Sequence, residues 1–136
     1  MELLNVLELL DLSSSFERKL NLALRYTGLR LPQFRAMEFL NKSGKITVSD
    51  LSRHFNVTRA TTSTMVNQLI AAGIVESLSH RSDKRSFYIR LTDAGLRRFE
   101  LARIEVEGVV RNLSRRYPEE AIRQVNRLSS KIVADS

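Results

Sequence analysis

The stretch from Ser49 to Leu91 changes its periodicity partway along, and that change constrains the fold more than any other feature of the chain. Helical spacing governs it up to Gly73. Ser49 followed by Asp50-Leu51 reads as a helix start, because a hydroxyl cap followed by an acid suits the positive end of the helix dipole. Leu51 and Phe55 lie one turn apart. Asn56-Val57-Thr58 then makes a tight turn. Thr58 caps a second helix running from Arg59 to Ala72, and Gly73 closes it. Beyond Gly73 the texture is that of strands. Ile74-Val75-Glu76-Ser77-Leu78 and Phe87-Tyr88-Ile89-Arg90-Leu91 are rich in β-branched and aromatic residues. The polar run from Ser79 to Ser86 between them contains no apolar residue, which predicts a hairpin with a long polar tip.

Helical patterns flank this centre on both sides. Leu3, Leu7 and Leu10 share a face, as do Phe16, Leu20, Ala23 and Leu24, and Gly28 is a stop signal. Ser13-Ser14-Ser15 leaves open whether that first helix is thinned or broken. Pro32 fits the first turn of the next helix, where a missing N–H costs nothing. Phe34, Met37, Phe39 and Leu40 give it an apolar side, and Asn41-Lys42-Ser43-Gly44 ends it. Thr92 caps a long helix with Asp93 in its first turn. Leu96, Phe99, Val106, Val110 and Leu113 form a seam along it that only Arg103 interrupts. A helix over 93–115 is roughly 35 Å long. Pro118, Glu119 and Glu120 open a last helix lined by Ile122, Val125, Leu128 and Ile132.

These elements describe one domain over residues 1–136, mainly α with a small β-hairpin wing. Its architecture is a winged helix-turn-helix lobe at 29–95. The flanking helices, 1–28 and 96–136, carry apolar stripes too long for a monomer of this size to cover alone.

Charge narrows the function. The chain carries 22 Lys and Arg against 15 Asp and Glu, a net charge of +7. Residues 1–27 hold three basic and four acidic side chains, residues 28–91 ten and four, and residues 92–136 nine and seven. The excess therefore sits in the centre. Concentrated positive charge suits a polyanion, because neutralising phosphates releases condensed counterions. The plainer reading is a solvated surface kept soluble by charge. No run approaches the roughly 20 apolar residues of a membrane-spanning helix, and Met1-Glu2-Leu3-Leu4 lacks the basic start of a signal peptide, so the expected location is cytoplasmic. The chain has no cysteine, which excludes disulfides, thiol nucleophiles and thiol redox sensing. With two histidines, His54 and His80, far apart in sequence, no metal and no cofactor are expected.

The helix from Arg59 carries the sharpest signal. At about 100° per residue, Thr62, Met65, Val66 and Leu69 fall on one stripe and face the core. Ala60, Ser63, Thr64, Asn67 and Ala71 fall opposite. That face is small and polar, and residues 60–75 include no charged side chain. A helix that lies in a major groove needs small residues for close approach and hydroxyl or amide groups for base edges. An ordinary solvated face would carry several Lys and Glu. Arg59, beside this face, suits a guanine edge or a phosphate. Ser49 and Thr58, as helix caps, sit where free N–H groups point outward to phosphates, with capping alone as the simpler role. On the hairpin tip, Arg81, Lys84 and Arg85 stand against the single acid Asp83. An arginine on a narrow loop is drawn to the negative potential of the minor groove. Arg85 is the residue assigned there, with Asp83 holding its guanidinium. A disordered basic loop is the alternative.

Four stretches carry a family likeness: Val48-Ser49-Asp50-Leu51-Ser52-Arg53, Val57-Thr58-Arg59-Ala60-Thr61-Thr62, Leu69-Ile70-Ala71-Ala72-Gly73-Ile74-Val75, and Ser82-Asp83-Lys84-Arg85-Ser86 running to Leu91-Thr92-Asp93-Ala94-Gly95. With them the chain resembles the MarR family of bacterial and archaeal regulators. The resemblance implies a homodimer with interlocked terminal helices and two wings flanking a palindromic site on double-stranded DNA. It also implies Arg85 in the minor groove with Asp83 as its anchor. Two positions depart from the pattern. Arg30 replaces a frequent Ser or Thr cap, and Thr62 replaces an apolar residue, which implies looser packing under the helix. Members of the family often hold a small aromatic or phenolic effector between the dimer helices and the DNA-binding lobe. Phe16, Leu20, Arg25, Tyr26 and Phe34 are the candidate walls here, each equally readable as core or dimer contact.

The resulting expectation is a sequence-specific transcriptional regulator, a ligand-responsive repressor acting as a homodimer. A winged-helix module for protein interaction is the rival, disfavoured by the basic wing and polar helix face. An enzyme is the third reading. The sequence has no glycine-rich phosphate loop and no nucleophile motif to support it.

Overall fold

A computed structural model describes residues 3–79 and 87–116, together with Glu119, Glu120, Arg123 and Arg127. The elements run α1 (Leu3–Leu24), α2 (Leu31–Ser43), β1 (Ile46–Thr47), α3 (Val48–Phe55), α4 (Arg59–Ala71), β2 (Val75–Ser79), β3 (Phe87–Leu91) and α5 (Asp93–Arg116). The fold is mainly helical with a small antiparallel sheet of order β1-β3-β2. The helix α1 runs through Ser13-Ser14-Ser15 without a break. Of the expected last helix, Glu119, Glu120, Arg123 and Arg127 are helical. Pro118, Ile122, Val125, Leu128 and Ile132 lie outside the described residues.

Two local features differ from the sequence expectation. The cap of α3 is Thr47, not Ser49. Thr47 Oγ1 accepts from the Asp50 N–H at 3.1 Å, while Asp50 Oδ2 accepts from the Thr47 N–H at 3.1 Å. This reciprocal box satisfies two N–H groups at once, which a Ser49 cap one turn fraction later would leave unpaired. Ser49 lies inside the helix, and its carbonyl accepts from the Ser52 hydroxyl at 2.9 Å. The second difference is β1. The pairs Ile46↔Ile89 and Thr47↔Tyr88 add a third strand to the hairpin, so Thr47 ends a strand and caps a helix.

The departure at Arg30 is compensated from elsewhere. Arg30 offers no side-chain acceptor as N-cap of α2. The Gln33 side chain accepts from the Arg30 N–H at 3.0 Å instead, and Asn21 Oδ1, reaching across from α1, accepts from the Leu31 N–H at 3.0 Å.

One core joins the elements. Leu24 of α1, Met37 and Leu40 of α2, Leu51 of α3, Val66 and Leu69 of α4, Ile89 of β3, and Phe99 and Ala102 of α5 are all buried in it. Phe34 stacks on Phe99 with ring centroids 5.4 Å apart, which ties α2 to α5. No helix among the described residues is long and apolar enough to cross a membrane.

Candidate nucleic-acid interface

The helix-turn-helix is built from its turn outward. Asn56 takes a left-handed conformation, φ 53°, which ends α3 and swings the chain into the next helix. The Thr58 hydroxyl accepts from the Thr61 N–H at 3.1 Å and donates to Thr61 Oγ1 at 2.8 Å, so it is engaged as a cap. Thr62, Val66 and Leu69 are buried and Met65 is half-buried, as the stripe requires. The Thr62 hydroxyl donates to the Thr58 carbonyl at 3.1 Å. With that bond made and the residue 1% exposed, a threonine at this buried position leaves no polar group unsatisfied. The hydroxyl is thus accommodated, while Thr62 and Met65 also border a cavity beside α4.

On the opposite side, Arg59, Ala60, Thr61, Thr64, Asn67 and Ala71 are exposed and Ser63 is half-buried. The Thr64 hydroxyl donates back to the Ala60 carbonyl at 3.0 Å and keeps its lone pairs toward solvent. The outward surface of α4 thus carries small side chains, hydroxyls and one amide, with Arg59 at its head. Ser49 is half-buried within α3. His54 is exposed, its ring stacked on Phe39 at 3.7 Å.

The wing stem is set by five register pairs between β2 and β3, from Val75↔Leu91 to Ser79↔Phe87. Glu76 and Arg90 form an ion pair across it at 2.6 Å. Arg81, Asp83, Lys84, Arg85 and His80, all assigned to the tip, lie outside the described residues. Behind the stem is a junction that the sequence reading did not foresee. The Thr92 hydroxyl donates to the Gly73 carbonyl at 2.6 Å and accepts from the Gly95 N–H at 2.9 Å. A Cβ on Gly95 would stand 2.0 Å from the Ile74 carbonyl oxygen. The glycine of the Leu-Thr-x-x-Gly run is thus the point where α5 touches the Gly73-Ile74 link between α4 and β2. This junction fixes the wing stem relative to the helix.

Phe34 belongs to the core. Phe16 and Leu20 are half-buried on α1. Tyr26 is 88% exposed, with Arg25 stacked over its ring at 4.6 Å. Arg25 and Tyr26 line an open groove of about 480 Å³ against Arg98, Leu101, Ile104 and Glu105. A separate cavity of about 220 Å³ lies between α1, α2 and the start of α4, walled by Glu17, Leu31, Pro32, Arg35, Phe55, Val57, Thr61, Thr62 and Met65. No periodic signal marks this wall, because its members come from four elements.

The MarR family model matches residues 27–86. The HTH-type transcriptional regulator BilQ of Clostridioides difficile (strain CD3) is 32% identical over 57 residues, covering 42% of this chain and 38% of that protein. The HTH-type transcriptional repressor IacR of Pseudomonas putida is 26% identical over 109 residues, covering 77% and 63%. The matches thus span less than two thirds of each of these relatives. Among solved structures, a mutant MarR from E. coli complexed with operator DNA superposes with a TM-score of 0.84 at 22% identity, over 97% of this chain and 99% of that one.

Proposed function

We propose that this chain, whose residues 27–86 match the MarR family model, is a DNA-binding transcription regulator of that family acting as a homodimer on a palindromic operator. The observation that carries this reading is the outward surface of α4. It is exposed, free of charge beyond Arg59 and free of bulky apolar groups, and it projects from a helix whose other face is locked in the core. Such a surface can approach base edges closely. Asn67 offers a donor and an acceptor to an adenine, Ser63 and Thr64 offer hydroxyls, Ala60 fits a thymine methyl, and Arg59 takes a guanine or a phosphate. Thr58 and Ser49 serve as phosphate contacts, together with Arg81 and Lys84 of the loop between β2 and β3. Arg85 enters the minor groove and Asp83 anchors it. In this reading residues 29–95 form the DNA-binding lobe, and 1–28 with 96–136 form the arms that hold two lobes about 34–36 Å apart, one DNA turn. The name of the IacR relative supports repression, and the MarR–operator complex supports duplex DNA as the partner.

Regulation by a small molecule fits the cavity of about 220 Å³ beside α4. Its wall is apolar apart from Glu17, Arg35 and two threonines, and Arg35 lies 5.0 Å over the Phe55 ring. An aromatic acid would set its ring among Leu31, Phe55 and Met65 and its carboxylate on Arg35. Because Val57, Thr61 and Thr62 belong to the same wall, occupancy would bias the setting of the recognition helix.

The test is selection of bound duplexes from random DNA, followed by gel shifts on the selected site. Arg85→Ala is expected to weaken binding strongly at unchanged fold stability. Asn67→Ala is expected to relax preference by about 1–3 kcal/mol at one base position. Absence of any selected sequence at low salt would overturn the reading in favour of a protein-interaction module. Equal weakening on every operator variant would show that Asn67 reads no base.

A further inference from the structure

Gly44, at φ 82°, ends α2 and turns the chain toward β1, so that Lys45 stands exposed where the sheet begins. Its ammonium lies 5.0 Å over the Tyr88 ring. Tyr88 holds a particular place in the register. It pairs with Thr47, the cap of α3, and Phe87 alone separates it from the loop between β2 and β3. Successive side chains of a strand alternate between faces, and Ile89 is buried, so Tyr88 stands on the outer face of the sheet. A positive charge is thereby fixed on that outer face, beside the start of α3 and the root of the loop that carries Arg81, Lys84 and Arg85.

Its partner sets this cation apart from its neighbours. Lys42 lies 3.1 Å from Glu38, Arg53 2.6 Å from Asp50 and Arg90 2.6 Å from Glu76, and each carboxylate offsets the charge it meets. Lys45 forms no ion pair among the described residues. An aromatic ring attracts an ammonium without neutralising it, so the full charge stays open to an outside anion. The ring also orders a long side chain in advance, which lowers the entropy lost when that anion binds. An ammonium is a compact charge with three donors, and it suits a phosphate oxygen better than the paired acceptors of a base edge. We propose that Lys45, steadied by Tyr88, holds a backbone phosphate of the duplex at the flank between α3 and the wing. This contact presupposes the DNA-binding reading above and lies outside both α4 and the wing loop.

Each phosphate neutralised steepens the fall of log K with log salt by about 0.9. On a duplex selected from random DNA, Lys45→Gln should flatten that slope by about 0.9 and leave the ranking of operator variants unchanged. Lys45→Arg, which keeps the charge, should retain the wild-type slope. Lys42→Gln removes the same formal charge from a cation already paired with Glu38, and the slope should not move. Tyr88→Leu takes away the ring and should weaken binding roughly threefold with the helices intact by circular dichroism, whereas Tyr88→Phe keeps the ring and should bind as the wild type does. An unchanged slope in Lys45→Gln overturns the phosphate contact and leaves the DNA-binding reading standing. Equal flattening by Lys42→Gln overturns it too, because the charge then acts only through the general field of the lobe. A changed preference at one base position would make Lys45 a base reader, against the proposal. A wild-type chain that binds no duplex at low salt sinks both.

Discussion

The helix-turn-helix lobe and the helical arms solve the burial problem in opposite ways. Between Leu29 and Leu91, the exposed large hydrophobics among the described residues are Val57 and Phe87. On α1 and α5 they are Leu7, Leu10, Leu22, Leu96, Leu101, Ile104 and Val110. The lobe closes its own core, and its helix starts are capped by Gln33, Thr47 and Thr58. On the arms these apolar residues stay exposed among the described residues, and so long an apolar stripe is tolerated only where another surface covers it. The helix α5 belongs to both regimes. Phe99 and Ala102 serve the core of the protomer, and Leu101 and Ile104 stay exposed among the described residues, lining the groove beside Arg25 and Tyr26. Position on a helix face, more than residue type, therefore decides what a leucine contributes.

Truncating one leucine on each side tests that contrast most directly. Leu69 is 1% exposed, and Leu69→Ala should cost about 2–5 kcal/mol in urea unfolding. Leu101→Ala should change the unfolding of the isolated protomer by no more than about 0.5 kcal/mol, with its effect appearing in self-association. Equal costs at the two sites would erase the distinction between lobe and arm. The junction between them is next in size. Gly95→Ala drives a methyl into the Ile74 carbonyl, and a loss of about 3 kcal/mol is expected, read by thermal unfolding. A neutral Gly95→Ala would mean that α5 can slide relative to α4 without cost. Within the lobe, Thr47→Ala should cost about 1 kcal/mol, while Ser49→Ala should be close to neutral. The reverse order would restore Ser49 as the cap.

Much of this was legible in the sequence, and the exceptions share a cause. The 3–4 stripe of Thr62, Met65, Val66 and Leu69 and the cap at Thr58 are local patterns, and the structure has them. The cap of α3 was misplaced because Ser49 and Thr47 are both plausible hydroxyl caps. The deciding signal was present as Thr47-x-x-Asp50, whose acid closes the reciprocal bond. The strand β1 escaped notice because two residues carry no alternation, and it exists only through its pairing with β3. The bond from Asn21 to Leu31 spans ten residues, and no helical or strand period marks it. The cavity beside α4 went unread for the same reason. Aromatic side chains on one helix share a face, but a cavity is made where several helices meet, and sequence spacing does not encode that meeting.

Acid offers the finest test of the contrast, because the lobe contains a carboxylate that its fold stabilises in the charged form. Asp50 is held below the ordinary carboxylate value of about 3.8 chiefly by the Thr47 N–H, then by the Thr47 hydroxyl and Arg53. The Arg53 guanidinium lies 2.6 Å from Oδ1. A depressed folded value means that the contribution is fully present above the unfolded value and is lost as pH falls through the folded one, below about 3.8. The Asp50 side chain is 40% exposed, so solvent screening holds the effect to a few tenths of a kcal/mol, about the scale of a surface pair. Between about pH 5 and pH 3, the wild type should therefore lose slightly more stability than Asp50→Asn, which cannot titrate. Calorimetric melts of both proteins over that window measure the difference. Parallel acid curves would show that the carboxylate is idle and that the Thr47 hydroxyl alone starts α3.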